Sequence, residues 1–210
     1  MPALRMHYLL LSSCLFFMVA CRSVYSGAKQ TPANPNCLLQ FKPHFTKALY
    51  NTKVDVTGKH LSGLLLLKTM PDSSTRLVFS NEMGFKYFDL EFSEAGVFKV
   101  HYILPQMDKA AVLITLRKDF EIVLMQHLAM DKAFVLKKDG LIYYGFPQEK
   151  GNNYYITDSS CQRLLRLERA SQRKPVVTVL MQDYRDGIPD SIGISHQNFN
   201  FTIGLKKLEQ

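Results

Sequence analysis

Three carboxylates surround a glycine in Asp183-Tyr184-Arg185-Asp186-Gly187-Ile188-Pro189-Asp190, and such a cluster could supply oxygen ligands to calcium. The segment lacks the alternate-residue acids and the distal glutamate that complete a calcium loop, so it reads as a hairpin turn. Six histidines are present, and none stands beside another His, Cys, Asp or Glu at metal-ligand spacing. The sequence patterns of nucleotide-binding loops, serine hydrolases and zinc proteases do not occur. A carboxylate pair for glycosidic chemistry depends on a separation that only a fold can set, and no pair here recommends itself. The expectation is a protein that is not an enzyme and that carries no cofactor or metal.

The cysteines point to a different chemistry. Met1 to Arg5 holds one positive charge and no acid, and Tyr8 to Ala20 is apolar apart from Ser12, Ser13 and Cys14. A charged start, a short apolar run and a small residue form a secretory signal, and the run is too short for a membrane span of about 20 residues. Met18-Val19-Ala20-Cys21 resembles the lipobox of bacterial lipoproteins, in which a nucleophilic thiol at the membrane surface takes a diacylglycerol and becomes the new N-terminus. Residues 1–20 are therefore expected to be a lipoprotein signal peptide, with Cys21 acylated; the alternative is a plain secretory signal cut after Ala20, which leaves Cys21 an ordinary thiol. Residues 21–36, rich in Ser, Gly, Thr, Pro and Asn, read as anchor and flexible tether. Cys37 and Cys161 lie in what is then an oxidising compartment, either as a disulfide or as two buried thiols.

The chain has 210 residues, 47% hydrophobic and 21% charged, with 26 basic against 18 acidic side chains. Residues 37–210 suit one globular domain, neither disordered nor dependent on a disulfide framework. The basic excess is spread along the chain and does not form the convergent basic and aromatic face that nucleic acid requires.

From Phe45 the hydrophobic period is two. Strands are expected around 48–56, 61–68, 76–80, 88–92 and 97–104, joined by short turns and therefore antiparallel. Between them and a second run of strands from Phe134 onward, Leu113, Leu116, Phe120, Val123, Leu124 and His127 share one face of a helix of about 20 residues, roughly 30 Å long. Asp108 is its expected cap, and Arg117, Lys118, Asp119 and Glu121 are expected to face away from the core. The fold class is α+β: a strongly curved antiparallel half-barrel of about eleven strands with one long covering helix. One helix cannot fill so wide a concavity, so an apolar cavity is expected, with Leu65, Leu67, Phe79, Phe88, Leu90 and Phe92 as candidate lining.

The order of these elements carries a resemblance over about residues 40 to 208. A lipobox and tether precede Leu64-Leu65-Leu66-Leu67-Lys68, Arg76-Leu77-Val78-Phe79 and Met83-Gly84-Phe85-Lys86-Tyr87-Phe88-Asp89-Leu90. One helix follows, then Asp183-Tyr184, Ile188-Pro189 and Phe201-Thr202-Ile203. This arrangement resembles the LolA/LolB-like superfamily of periplasmic lipoprotein carriers and outer-membrane acceptors, and among them LolB, itself a lipoprotein. The resemblance implies a half-barrel closed by helices whose cavity takes acyl chains, and a protruding apolar residue on the loop between the third and fourth strands, a place Met83 occupies here. It implies a monomer on the periplasmic face of the outer membrane that binds acyl chains, receives lipoproteins or lipids from a periplasmic carrier and passes them to the membrane. The competing expectation is an anchored envelope scaffold with its interior packed shut.

Overall fold

A computed structural model describes residues 23–209; the predicted signal peptide and Cys21 lie outside them. The described strands are β1 (Lys29–Gln30), β2 (Lys47–Val56), β3 (Lys59–Thr69), β4 (Thr75–Ser80), β5 (Lys86–Phe92), β6 (Phe98–Ile103), β7 (Phe134–Lys138), β8 (Leu141–Pro147), β9 (Asn152–Thr157), β10 (Leu164–Ala170), β11 (Pro175–Arg185), β12 (Ile188–His196) and β13 (Phe201–Lys207). They form a single open antiparallel sheet in the order β1-β7-β8-β9-β10-β11-β12-β13-β2-β3-β4-β5-β6. Between β6 and β7 lies the helix α1 (Ala110–Val123).

This corrects the expected count of about eleven strands: there are thirteen among the described residues. The two-residue β1 is too short to show any period, and only its pairing with Lys137 and Leu136 of β7 makes it a strand. Strand β11 runs on through polar Asp183 and Arg185, where the sequence suggests a loop. The turn that follows is two residues, Asp186 and Gly187, both with positive φ, the backbone that Asp-Gly favours in a tight hairpin.

The helix is also shorter than expected, 14 residues or about 21 Å. Lys109, not Asp108, stands at its N-cap position, and no side chain caps it. Left-handed backbone at Met125 and His127 stops the helical course after Val123, so His127 leaves the buried face. The His127 ring instead packs over Gly96, where an added Cβ would fall 2.1 Å from the ring.

Twelve strand-to-strand spacings of about 4.8 Å make a sheet nearly 60 Å across if flat. Inward residues from β2 to β5 and from β7 to β13 nevertheless join α1 in one continuous core, so the sheet wraps around the helix. The hairpin turns then gather at two ends. One end is plugged. A 3-10 segment, Pro35–Phe41, and the stretch to Phe45 lie across it, with Leu38 and Phe45 buried in the core. The Phe45 carbonyl accepts from the Thr69 hydroxyl at 2.9 Å, the His44 N–H donates to Gly187 at 3.1 Å, and the Tyr184 hydroxyl donates to Phe41 at 3.0 Å. Cys37 and Cys161 are joined by a disulfide, and Gln40 donates to the carbonyls of both, at 2.8 and 2.7 Å.

The segment expected to be a tether also lies on the domain from Ser23 on. Its Tyr25 hydroxyl donates to Glu168 at 2.6 Å on the outer face of the sheet, and its ring stacks on Tyr154 with centroids 4.5 Å apart.

The disulfide spans 124 residues, a long loop whose closure restricts the unfolded chain strongly. Cys37→Ser with Cys161→Ser is expected to lower unfolding free energy by about 2–5 kcal/mol in a urea melt, and reducing agent should do the same to the wild type.

On the outer face, Asp89 is almost fully buried beneath Arg76, which binds it through Nε at 2.7 Å and Nη2 at 3.0 Å, and Lys86 at 2.9 Å. Burial alone would raise the Asp89 carboxyl; the two cations overcome it and hold the group below its usual range. A lowered native value stabilises the fold above the ordinary carboxylate range and ceases to do so as pH falls through it. Stability should therefore decline below about pH 4. Asp89→Asn should cost about 1–2 kcal/mol at pH 7 and flatten that acid limb, as read by denaturation at stepped pH.

Candidate functional site

Opposite the plug, the interior is open. A cavity of about 520 Å³ lies between α1 and the inner faces of β13, β2, β3, β4 and β5. Its floor is Leu65, Phe79, Phe88 and Phe120, and Phe201 and Ile203 form one wall. Its mouth is framed by three connections that the register brings to this end: Thr57 and Lys59 of the β2–β3 hairpin, Gln106 and Lys109 before the helix, and half-exposed Phe199 of the β12–β13 turn. The volume falls within the range of about 300–1,000 Å³ usual for small-molecule sites.

The candidate lining residues divide. Leu65, Phe79 and Phe88 face the cavity, whereas Leu67, Leu90 and Phe92 are buried beyond it in the solid part of the core. The division follows position along the strands. Leu65 pairs with Phe79, and Phe79 with Phe88, in a row near the open end, while Leu67, Leu77 and Leu90 make the next row toward the plug.

Sequence reasoning missed the polar cluster that fixes the helix. Asp119, expected at the solvent face, is fully buried. Its Oδ2 accepts from His196 Nε2 of β12 at 2.8 Å, and its Oδ1 lies 3.2 Å from Arg169 Nη1 of β10. The signal was present: Leu116, Asp119, Phe120 and Val123 recur at three and four residues, so Asp119 sits inside the apolar stripe. The His196 ring in turn packs on Phe199 and Phe201, with centroids 4.8 Å away in each case. On the other flank Phe120 meets Phe88, their centroids 6.2 Å apart. The helix is thus held by charge on one side and by aromatic contact on the other. No group of His, Cys, Asp and Glu among the described residues could hold a metal ion.

Met83 lies in the β4–β5 turn; the added β1 moves this loop from between the third and fourth strands to between the fourth and fifth. The Asn81 carboxamide accepts from the N–H groups of Met83 at 3.0 Å and Phe85 at 2.8 Å, holding both side chains outward. Met83 is 83% exposed and Phe85, which the sequence reading did not single out, 68%.

Neither a family model nor a curated protein matches this sequence. Two solved structures are similar in fold. One is a DUF1329 family protein from Desulfovibrio piger, at TM-score 0.44 and 11% identity, covering 83% of this chain and 88% of that one. The other is a domain named for outer membrane lipoprotein sorting, from Vibrio parahaemolyticus, at TM-score 0.42 and 10% identity with the same coverage. They share a course of the chain. Likeness at that level brings no ligand or activity with it.

Replacing Asp119 with Ala would leave His196 and Arg169 facing each other across a buried space without their anion. The loss should be about 3 kcal/mol, measured by thermal or urea unfolding, whereas Lys118→Ala, at the exposed face of the helix, should cost under about 1 kcal/mol.

Proposed function

We propose that this protein is an envelope lipoprotein whose cavity binds acyl chains and which passes lipids or lipoproteins to a membrane without hydrolysing them. The observation that carries this reading is the apolar cavity of about 520 Å³, open at one end and closed at the other. A hydrocarbon chain suits it, since such a guest needs burial more than directional partners, and each methylene removed from water contributes about 0.8 kcal/mol. The lipobox at Cys21 supports anchoring to the periplasmic face of the outer membrane, and two or three attached chains would make that anchoring stable. A passive carrier needs no catalytic residues, cofactor or metal. A periplasmic donor protein and a monomeric acceptor complete the proposal, with Met83 entering the target membrane. An anchored scaffold is the weaker reading because the interior is not packed shut.

Uptake of the neutral dye Nile red by the purified full chain, and its displacement by acyl compounds, tests the reading. Ala111→Trp places bulk at the cavity wall, where Ala111 is solvent-exposed and the fold can tolerate it. It should weaken uptake roughly ten-fold or more while changing the melting temperature by only a few degrees. A wild-type chain that takes up no dye, or a variant that takes it up unchanged, overturns the proposal.

A further inference from the structure

The cavity's lining is chemically one-sided. Of its lining side chains only Lys59 and Lys109 carry formal charge, and both are at the mouth; no carboxylate lines any part of it. Both lysines are exposed, and neither takes part in an ion pair among the described residues. The nearest acid in sequence, Asp108, does not line the cavity. The carboxylates that are buried do have cationic partners: Asp89 has Arg76 and Lys86, Glu168 has Arg166, Asp119 has Arg169, and Asp190 has Arg185 and Lys207. The two lysines at the mouth are thus free to meet a ligand, one from the β2–β3 hairpin and one from the start of α1, at an opening whose interior is mostly apolar. The start of α1 adds to the same field. Lys109 is its N-cap residue, its first turn contains no acid, and no side chain caps it, so its partial positive end, where Lys109, Ala111 and Val112 line the cavity, is not neutralised by an acid of its own turn.

We propose that the site selects single-chain amphiphiles with an anionic headgroup, a carboxylate or a phosphate, held between Lys59 and Lys109 while the chain lies along Leu65, Phe79 and Phe88. This rests on the acyl-binding reading and deepens it by specifying the head. A neutral head would form no ion pair at the mouth, and a cationic one would be repelled. The preference is electrostatic and exposed, so it is modest and weakens with salt.

The test uses the purified full chain loaded with Nile red and four competitors of equal chain length: dodecanoate, dodecyl phosphate, dodecan-1-ol and dodecyltrimethylammonium. The two anions should displace dye at concentrations about five- to ten-fold lower than the alcohol, with the cation weakest, and the gap should narrow in high salt. The double variant Lys59→Gln, Lys109→Gln should bring the anions to the level of the alcohol and leave the alcohol itself unchanged. Comparing dodecanoate with dodecyl phosphate tells which anion the mouth prefers. Equal displacement by anions and alcohol, or an anion preference that survives in the double variant, overturns this proposal while leaving acyl binding intact. Failure of the wild type to take up dye at all overturns both.

Discussion

A thirteen-stranded sheet has far more inward apolar surface than one 14-residue helix can cover, and that mismatch determines the rest of the structure. The sheet must curl to bury its inner face, because β2 to β5 and β7 to β13 all contribute inward leucines, isoleucines, valines or aromatics. Curling brings two flanks toward each other, and the helix fills the gap between them only in part. What remains unfilled is the cavity beside Leu65, Phe79 and Phe88.

The hollow opens in one direction because the other end has its own stopper. Leu38 and Phe45 fill the interior beneath the 3-10 segment, and the disulfide from Cys37 to Cys161 fixes that segment to the β9–β10 turn. Buried Tyr50, whose hydroxyl donates to Pro189 at 2.7 Å, ties β2 to β12 near the same end. Burial, and after it the Asp190 charge, pushes the Tyr50 phenol up, so it remains a protonated donor through the physiological range. The plug is thus built from hydrogen bonds to residues distant in the chain and one covalent link, and the open end from three hairpins and turns whose side chains are polar, basic or half-exposed.

Much of the sheet was legible because inward and outward residues alternate along its longer strands. The pattern Lys47 to Val56, with Ala48, Tyr50 and Thr52 inward, needs no tertiary information, and the short turns after it force antiparallel neighbours. What could not be read were features made by partners distant in the chain. Lys29–Gln30 is a strand only because β7 accepts it, and the position of Tyr25 depends on Tyr154 and Glu168. The six proposed lining residues share one face, but period two cannot say how far along a strand the packing becomes solid; that depends on where the helix and plug fall. Asp119 lies in the apolar stripe by its spacing, although its residue type alone points to solvent. A carboxylate in an apolar stripe is buried when a cation and a hydrogen-bond donor from elsewhere reach it, and Arg169 and His196 come from strands 50 or more residues away.

The placement of Asp119 also bears on how a guest would enter. A lid that swings open must expose its inner face, and here that would break the contacts of a fully buried carboxylate with Arg169 and His196 while separating Phe120 from Phe88. Removing one partner from a buried charge pair costs about 3–5 kcal/mol, far above the thermal energy available for frequent opening. The mouth offers a less costly path. Phe199 is 46% exposed and rests on His196 and Phe201, so a change in its rotamer would give up those ring contacts but leave the hydrogen bond between His196 and Asp119 made. For the acyl guest proposed above, exchange through the open end, past Phe199, Lys59 and Lys109, would keep the helix in place and the core intact.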